Sequence, residues 1–107
     1  MANVYKNAKV DLTTTNATAL YTCAALTTGI VKSILVCNDS AHNDTITITI
    51  TDTGSNVFTV YSAHAVSGPS TSELLTGPLV IQTGEILKVT AATADRLHVT
   101  ASILEVT

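Results

Sequence analysis

The chain has 107 residues and a mass of 11.1 kDa, room for a single domain covering 1–107. Only 12% of its residues are charged, against about 25% in an average soluble domain, and the net charge is −3. The five cations (Lys6, Lys9, Lys32, Lys88, Arg96) are dispersed, which argues against the clustered basic footprint of a nucleic-acid binder.

No apolar run reaches the roughly 20 residues of a membrane-spanning helix. The polar stretch from Met1 to Val10 lacks the apolar segment of a secretion signal. The expectation is a soluble protein, made in a cytoplasm and not bound to a membrane. Cys23 and Cys37 are too few for a disulfide framework. A hairpin turning around Leu26 to Gly29 would set Cys23 opposite Ile30 and away from Cys37, so both are expected as reduced, small apolar residues.

Twenty threonines bias the chain toward strands. In chain order, Val4 to Leu12 alternates loosely and Ala19 to Cys23 is a short apolar run. Ile30 to Cys37 is apolar on both faces apart from Lys32 and Ser33, as suits a strand central to its sheet. Asn38 to Asp44 is a polar loop. Thr45 to Thr51 alternates strictly, three isoleucines on one face and four threonines on the other. Asp52-Thr53-Gly54-Ser55 predicts a turn into Asn56 to Ser62, with Val57, Thr59 and Tyr61 on one side and Phe58 and Val60 on the other. Ser67-Gly68-Pro69-Ser70 breaks the chain before a short strand over Ser72 to Leu75. Thr76-Gly77-Pro78 breaks it again before Leu79 to Gln82. Thr83-Gly84 turns the chain into Glu85 to Ala91. Ala91 to Asp95 is read as a helical turn, and Leu97 to Val106 as the closing strand.

Short strands separated by breaks at intervals of about 8 to 12 residues predict an all-β fold: an antiparallel β-sandwich, jelly-roll-like, of about eight strands. Its expected core holds Ile46, Ile48, Ile50, Leu35, Leu87, Val89 and alternate residues of the last strand.

Chemistry is sparse. His42, His64 and His98 form no closely spaced ligand pair, and no Cys-x₂-Cys occurs. A zinc site from His42, Asp44 and Asp39 would need the fold to gather them by accident. No serine has the glycines of a nucleophile elbow, and no glycine run can cradle a phosphate. The carboxylates suggest no glycosidase pair. Two glycosylation tripeptides, Asn16-Ala17-Thr18 and Asn43-Asp44-Thr45, carry no weight without secretion. No catalytic residue, cofactor, metal or small-molecule substrate is expected.

The surface is the anomaly. With 13 formal charges in all, outward strand faces must consist largely of Thr, Ser, Ala and Val. The threonine strand either lies central and covered, or has its faces and edges buried by copies of itself or by another protein. Termini and loops are left to reach a partner. The candidate contacts are Tyr5, Lys6 and Lys9 in the segment Met1 to Leu12, His42 in the loop Asn38 to Asp44, and His64 near the Ser67 to Ser70 break. The first segment either adds a strand to a partner's sheet edge or completes this protein's own sheet.

The order of segments carries a resemblance. Thr13-Thr14-Thr15 through Leu20-Tyr21-Thr22 is followed by Thr27-Thr28-Gly29-Ile30-Val31-Lys32-Ser33-Ile34. The second half holds Ser72-Glu73-Leu74-Leu75, Gly77-Pro78-Leu79-Val80-Ile81, Gly84-Glu85-Ile86-Leu87-Lys88-Val89 and Leu97-His98-Val99-Thr100-Ala101-Ser102. This pattern resembles the small β-sandwich virion structural proteins of tailed bacteriophages, among them capsid decoration (cement) proteins and neck or tail components. The likeness covers nearly all of the chain and rests on strand and turn spacing. It implies a non-enzymatic protein of the virion, a homotrimer on the capsid surface that clamps the major capsid protein. A head-to-tail or tail ring component is the rival within virions. A ligand-binding sandwich on a fibre would need aromatics at a loop cluster, whereas Tyr5, Tyr21, Phe58 and Tyr61 fall mostly inside predicted strands.

Overall fold

A computed structural model describes residues 3–107. Among them are nine strands: β1 (Asn3–Asp11), β2 (Thr18–Thr22), β3 (Thr28–Asn38), β4 (Asp44–Thr51), β5 (Val57–Val66), β6 (Ser70–Glu73), β7 (Leu79–Ile81), β8 (Ile86–Ala91) and β9 (Leu97–Val106). One sheet, here sheet A, runs β1-β9-β3-β6, with β7 pairing the other end of β3. The second, sheet B, runs β2-β8-β4-β5. All pairings are antiparallel and nested: β1 with β9, β2 with β8, β3 with β6 and β7, β4 with β5. With β6 and β7 sharing one strand's place, this is the order of a jelly roll, a hairpin of strands folded over into two facing sheets.

The period of two places the core. Ile46 and Ile48 are fully buried and Ile50 partly, while Thr45, Thr47, Thr49 and Thr51 face outward. Against them pack Leu87, Val89 and Ala91 of β8, with Leu97, Val99, Ala101 and Ile103 of β9 and Val31, Ile34 and Val36 of β3. β4 lies between β8 and β5, so the threonine strand is central.

Bulges correct two expected faces. In β3 the register shifts between Val31 and Ser33, so Val31 and Ile34 both point inward although three residues apart. The phase change turns Leu35 out, opposite Thr100 and Glu73 rather than into the core. In β5 two bulges put Phe58, Tyr61 and His64 opposite Ile50, Ile48 and Ile46, on one side of the sheet. Tyr61 therefore does not share a face with Val57 and Thr59.

Two local readings also change. Ala91 ends β8, and residues 92–96 form bends and turns rather than a helical turn, because Ala92 N donates to Thr45 O and Asp95 N to Leu12 O. Residues 23–27 join β2 of sheet B to β3 of sheet A, so no hairpin around Leu26 to Gly29 sets Cys23 opposite Ile30. Both cysteines are free, Cys23 in the core and Cys37 half-buried on the outer side of sheet A.

Three polar devices hold the ends together. Tyr21 crosses from sheet B to lie on Gly29, where a Cβ would come within 2.7 Å of its ring. Its hydroxyl donates to Glu105 Oε2 at 2.6 Å, and burial, then that bond, pushes the phenol pKa up. Asp52 Oδ1 accepts from Gly54 N and Asn56 N, both at 2.9 Å, which fixes the β4–β5 turn. Glu73 closes the stretch of β3 left unpaired between β6 and β7. Its carboxylate accepts from Ser33 Oγ, from Ile34 N at 2.8 Å and from Leu75 N at 3.2 Å. Desolvation works to raise its pKa, but these hydrogen bonds prevail and hold it below the ordinary glutamate value.

Ile48→Ala is expected to cost about 2–5 kcal/mol as a core truncation, and Thr49→Ala far less, by urea denaturation. Glu73 releases its proton more readily in the folded protein than in the unfolded chain. Its stabilising share is therefore present above the ordinary glutamate value of 4.5 and is lost as pH falls through the folded-state value. Glu73→Gln should lower stability at neutral pH by about 1 kcal/mol and shrink that acid-side loss. Urea midpoints measured from neutral to acid pH check both.

Candidate assembly surfaces

The residues predicted as contacts are dispersed. Tyr5 and Lys9 lie on the outer face of sheet A, opposite Leu104 and Thr100. Lys6, opposite the buried Ile103, turns to the inner side, with Nζ 3.7 Å from Glu105 Oε1 and 5.9 Å from the centre of the Tyr21 ring. Lys6 thus completes the Tyr21–Glu105 device. His64 lies on β5, its ring edge-on to Tyr61 at 5.6 Å. His42 is exposed in the loop after β3. β1 pairs with β9 along its whole length, so the first described residues complete this protein's own sheet while leaving their second edge open. Met1 and Ala2, also part of the segment read as a contact, lie outside the described residues.

The loop carrying His42 is built around Asn38, which is fully buried. Its Nδ2 donates to His42 O and Val66 O, and its Oδ1 accepts from Ser40 N and Oγ. Gly68 fits against the same loop, where a Cβ would come within 2.6 Å of the Ser40 and His42 carbonyl oxygens. The Asn38 to Asp44 loop and the Ser67 to Ser70 break are therefore one packed unit.

The three residues considered for zinc do not converge. Asp44 is buried, accepting from Thr45 N and Thr93 N, and Asp39 pairs with His98 at 3.1 Å. His98 also lies 3.7 Å from Asp11, beside an open cleft of about 280 Å³ that Lys9 and Thr100 help to line. Among the described residues no group of three His, Cys, Asp or Glu side chains is arranged to hold a metal.

What register does bring together is surface. On the outer face of sheet A, Val80, Ile30, Leu104 and Tyr5 stand side by side on four adjacent strands. Tyr5 is 77% exposed and Val80 49%. The opposite end of that face is polar, with Asp11, His98 and Cys37 in register. The outer face of sheet B reads Val57–Thr51–Ile86–Thr22 and Thr59–Thr49–Lys88–Ala19 across its strands. Among the described residues Lys88 is the one formal charge on that face. Thr47 serves the fold there, its Oγ1 accepting from the bulged Ala63 N at 3.0 Å.

The apolar row escaped the sequence reading. Val80, Ile30 and Leu104 sit in runs recognisable as strands, but the β3 bulge and the pairing of β7 decide which side each faces. Only Tyr5 had been singled out. The chain matches no known protein family, no curated protein and no solved structure.

Tyr5→Ser and Val80→Ser should each change folding stability by less than about 0.5 kcal/mol, because neither side chain is packed. Tyr21→Phe should cost about 1–3 kcal/mol, since it leaves Glu105 without its hydroxyl donor. Urea denaturation of the three variants distinguishes contact residues from fold residues.

Proposed function

We propose that this chain is a non-enzymatic structural protein of a phage virion, a capsid decoration protein that self-associates and binds the outer surface of the shell. The observation that carries the reading is the pair of outer faces: one crossed by an exposed apolar row on four strands, the other bearing a single lysine among Thr, Ile, Val and Ala. Surfaces so poor in charge gain free energy when a neighbour covers them. The segment order described above supports the virion as the place where that happens.

In this reading the protein works by contact. Each copy binds only the assembled lattice, so by mass action many weak contacts add stability to the shell and none to its free subunits. The apolar row around Tyr5 and Val80 bears on the capsid, since an exposed row across four strands offers a protein surface a broad contact.

Quantitative mass spectrometry of purified virions from the source of this sequence tests the reading. The expected result is a copy number on the scale of the major capsid protein, reduced severalfold for a Tyr5→Ser, Val80→Ser double variant. A copy number sufficient for only one ring would move the protein to the neck or tail. Its absence from virions would overturn the reading.

A further inference from the structure

We propose that a second copy of this chain pairs with the free edge of β5, antiparallel and centred on Tyr61, joining two copies of sheet B into one continuous sheet. The proposal stands independently of the virion reading, because it rests on the strand alone.

β5 is hydrogen-bonded along one side only, to β4. It is ten residues long, contains no Lys, Arg, Asp, Glu or Pro, and leaves Val57 61% and Phe58 58% exposed. An edge of that length normally carries a lysine, a proline or a bulge to discourage pairing, and of these β5 has only its bulges. The other long edge, β1, has Lys6 and Lys9. Since β5 has no formal charge, two copies can approach without setting like charges against each other.

The bulges make a second copy the fitting occupant. A regular strand matches faces with itself in many registers, but each bulge reverses the alternation and removes most of them. In β5 the bulges lie on either side of Tyr61. Val57 and Ala65, opposite Thr51 and Thr45, both face outward; Phe58 and His64, opposite Ile50 and Ile46, both face inward. Turning the strand end for end about Tyr61 therefore places outward residues on outward ones and inward on inward. The bulky Val57 and Phe58 of one copy meet the smaller Ala65 and the exposed His64 of the other. His64 already meets Tyr61 edge-on, so the partner's Phe58 would extend an aromatic row across the junction. Main-chain hydrogen bonds supply the affinity, as in other strand additions.

Such a contact is isologous and closes as a dimer, not as a trimer. Sedimentation of the full chain across the micromolar range should give a dimer. Phe58→Lys should halve the weight-average mass while the far-ultraviolet circular dichroism of the folded chain stays unchanged. Combining Phe58→Lys with His64→Glu should restore the dimer, because the register sets each new ammonium against the other copy's new carboxylate. A monomeric wild-type chain would mean that the bulges themselves protect the edge, and would overturn the proposal. So would a trimer, or a double variant that stays monomeric although folded. None of these results alters the copy number in virions, so this proposal and the place in the virion fail separately, although a monomer would remove self-association from both.

Discussion

Everything in this molecule depends on strand backbones satisfying one another while alternate side chains leave water. A chain with few charges and few aromatics has little else with which to build a fold. Its β-branched residues favour extended backbone, extended backbone leaves N–H and C=O groups to be paired, and pairing brings every second side chain to one face. The jelly roll answers these demands together. Nested antiparallel pairing satisfies the backbone, and folding the paired strands into two sheets buries Ile46, Ile48, Leu87, Val89, Ile34 and Ile103 between them.

Polar groups inside this sandwich are few, and each has a structural task. Tyr21, Glu105 and Lys6 fasten sheet B to sheet A at one end, and Gly29 is the place where the tyrosine ring fits. Asn38 holds the loop at the other end. Glu73 satisfies the Ile34 amide in the stretch of β3 left unpaired between β6 and β7. Each device supplies hydrogen bonds where strand pairing is interrupted, and a bulge left unsatisfied would cost more than the bond that fills it.

The same economy shapes the surface. Sheet A holds most of the charged strand residues, with Lys6, Lys9 and Asp11 on its edge strand β1. Sheet B faces outward with threonine methyls and hydroxyls around Lys88. Threonine is suited to this position: its branched carbon favours the strand, its hydroxyl keeps the face wettable, and Thr47 shows that the hydroxyl can also anchor a neighbouring bulge. The hazard that the alternating pattern suggested for the threonine strand does not fall on that strand. β4 is covered on both edges, and the exposed edge belongs to the charge-free strand that pairs with it.

How much of this was legible depends on the range of the interaction. Alternation is local, so the strands, the turn at Asp52, the sandwich class and the inward isoleucines of β4 were all readable from residue order. Leu35 was misplaced and Tyr61 assigned to the wrong face because a bulge is decided by the partner strand. Nothing in Ile30 to Cys37 or Asn56 to Ser62 marks where the extra residue falls. Lys6 reaches Glu105 and Tyr21, residues distant in the chain that only the folded sheets bring beside it. The apolar row of Val80, Ile30, Leu104 and Tyr5 likewise exists only by register across four strands. By itself the sequence determined the period of two and the shortage of charge, because both are properties of neighbouring residues. Tertiary structure alone decided which edges stay open and which side chains share a face, because those follow from pairing between segments far apart in the chain.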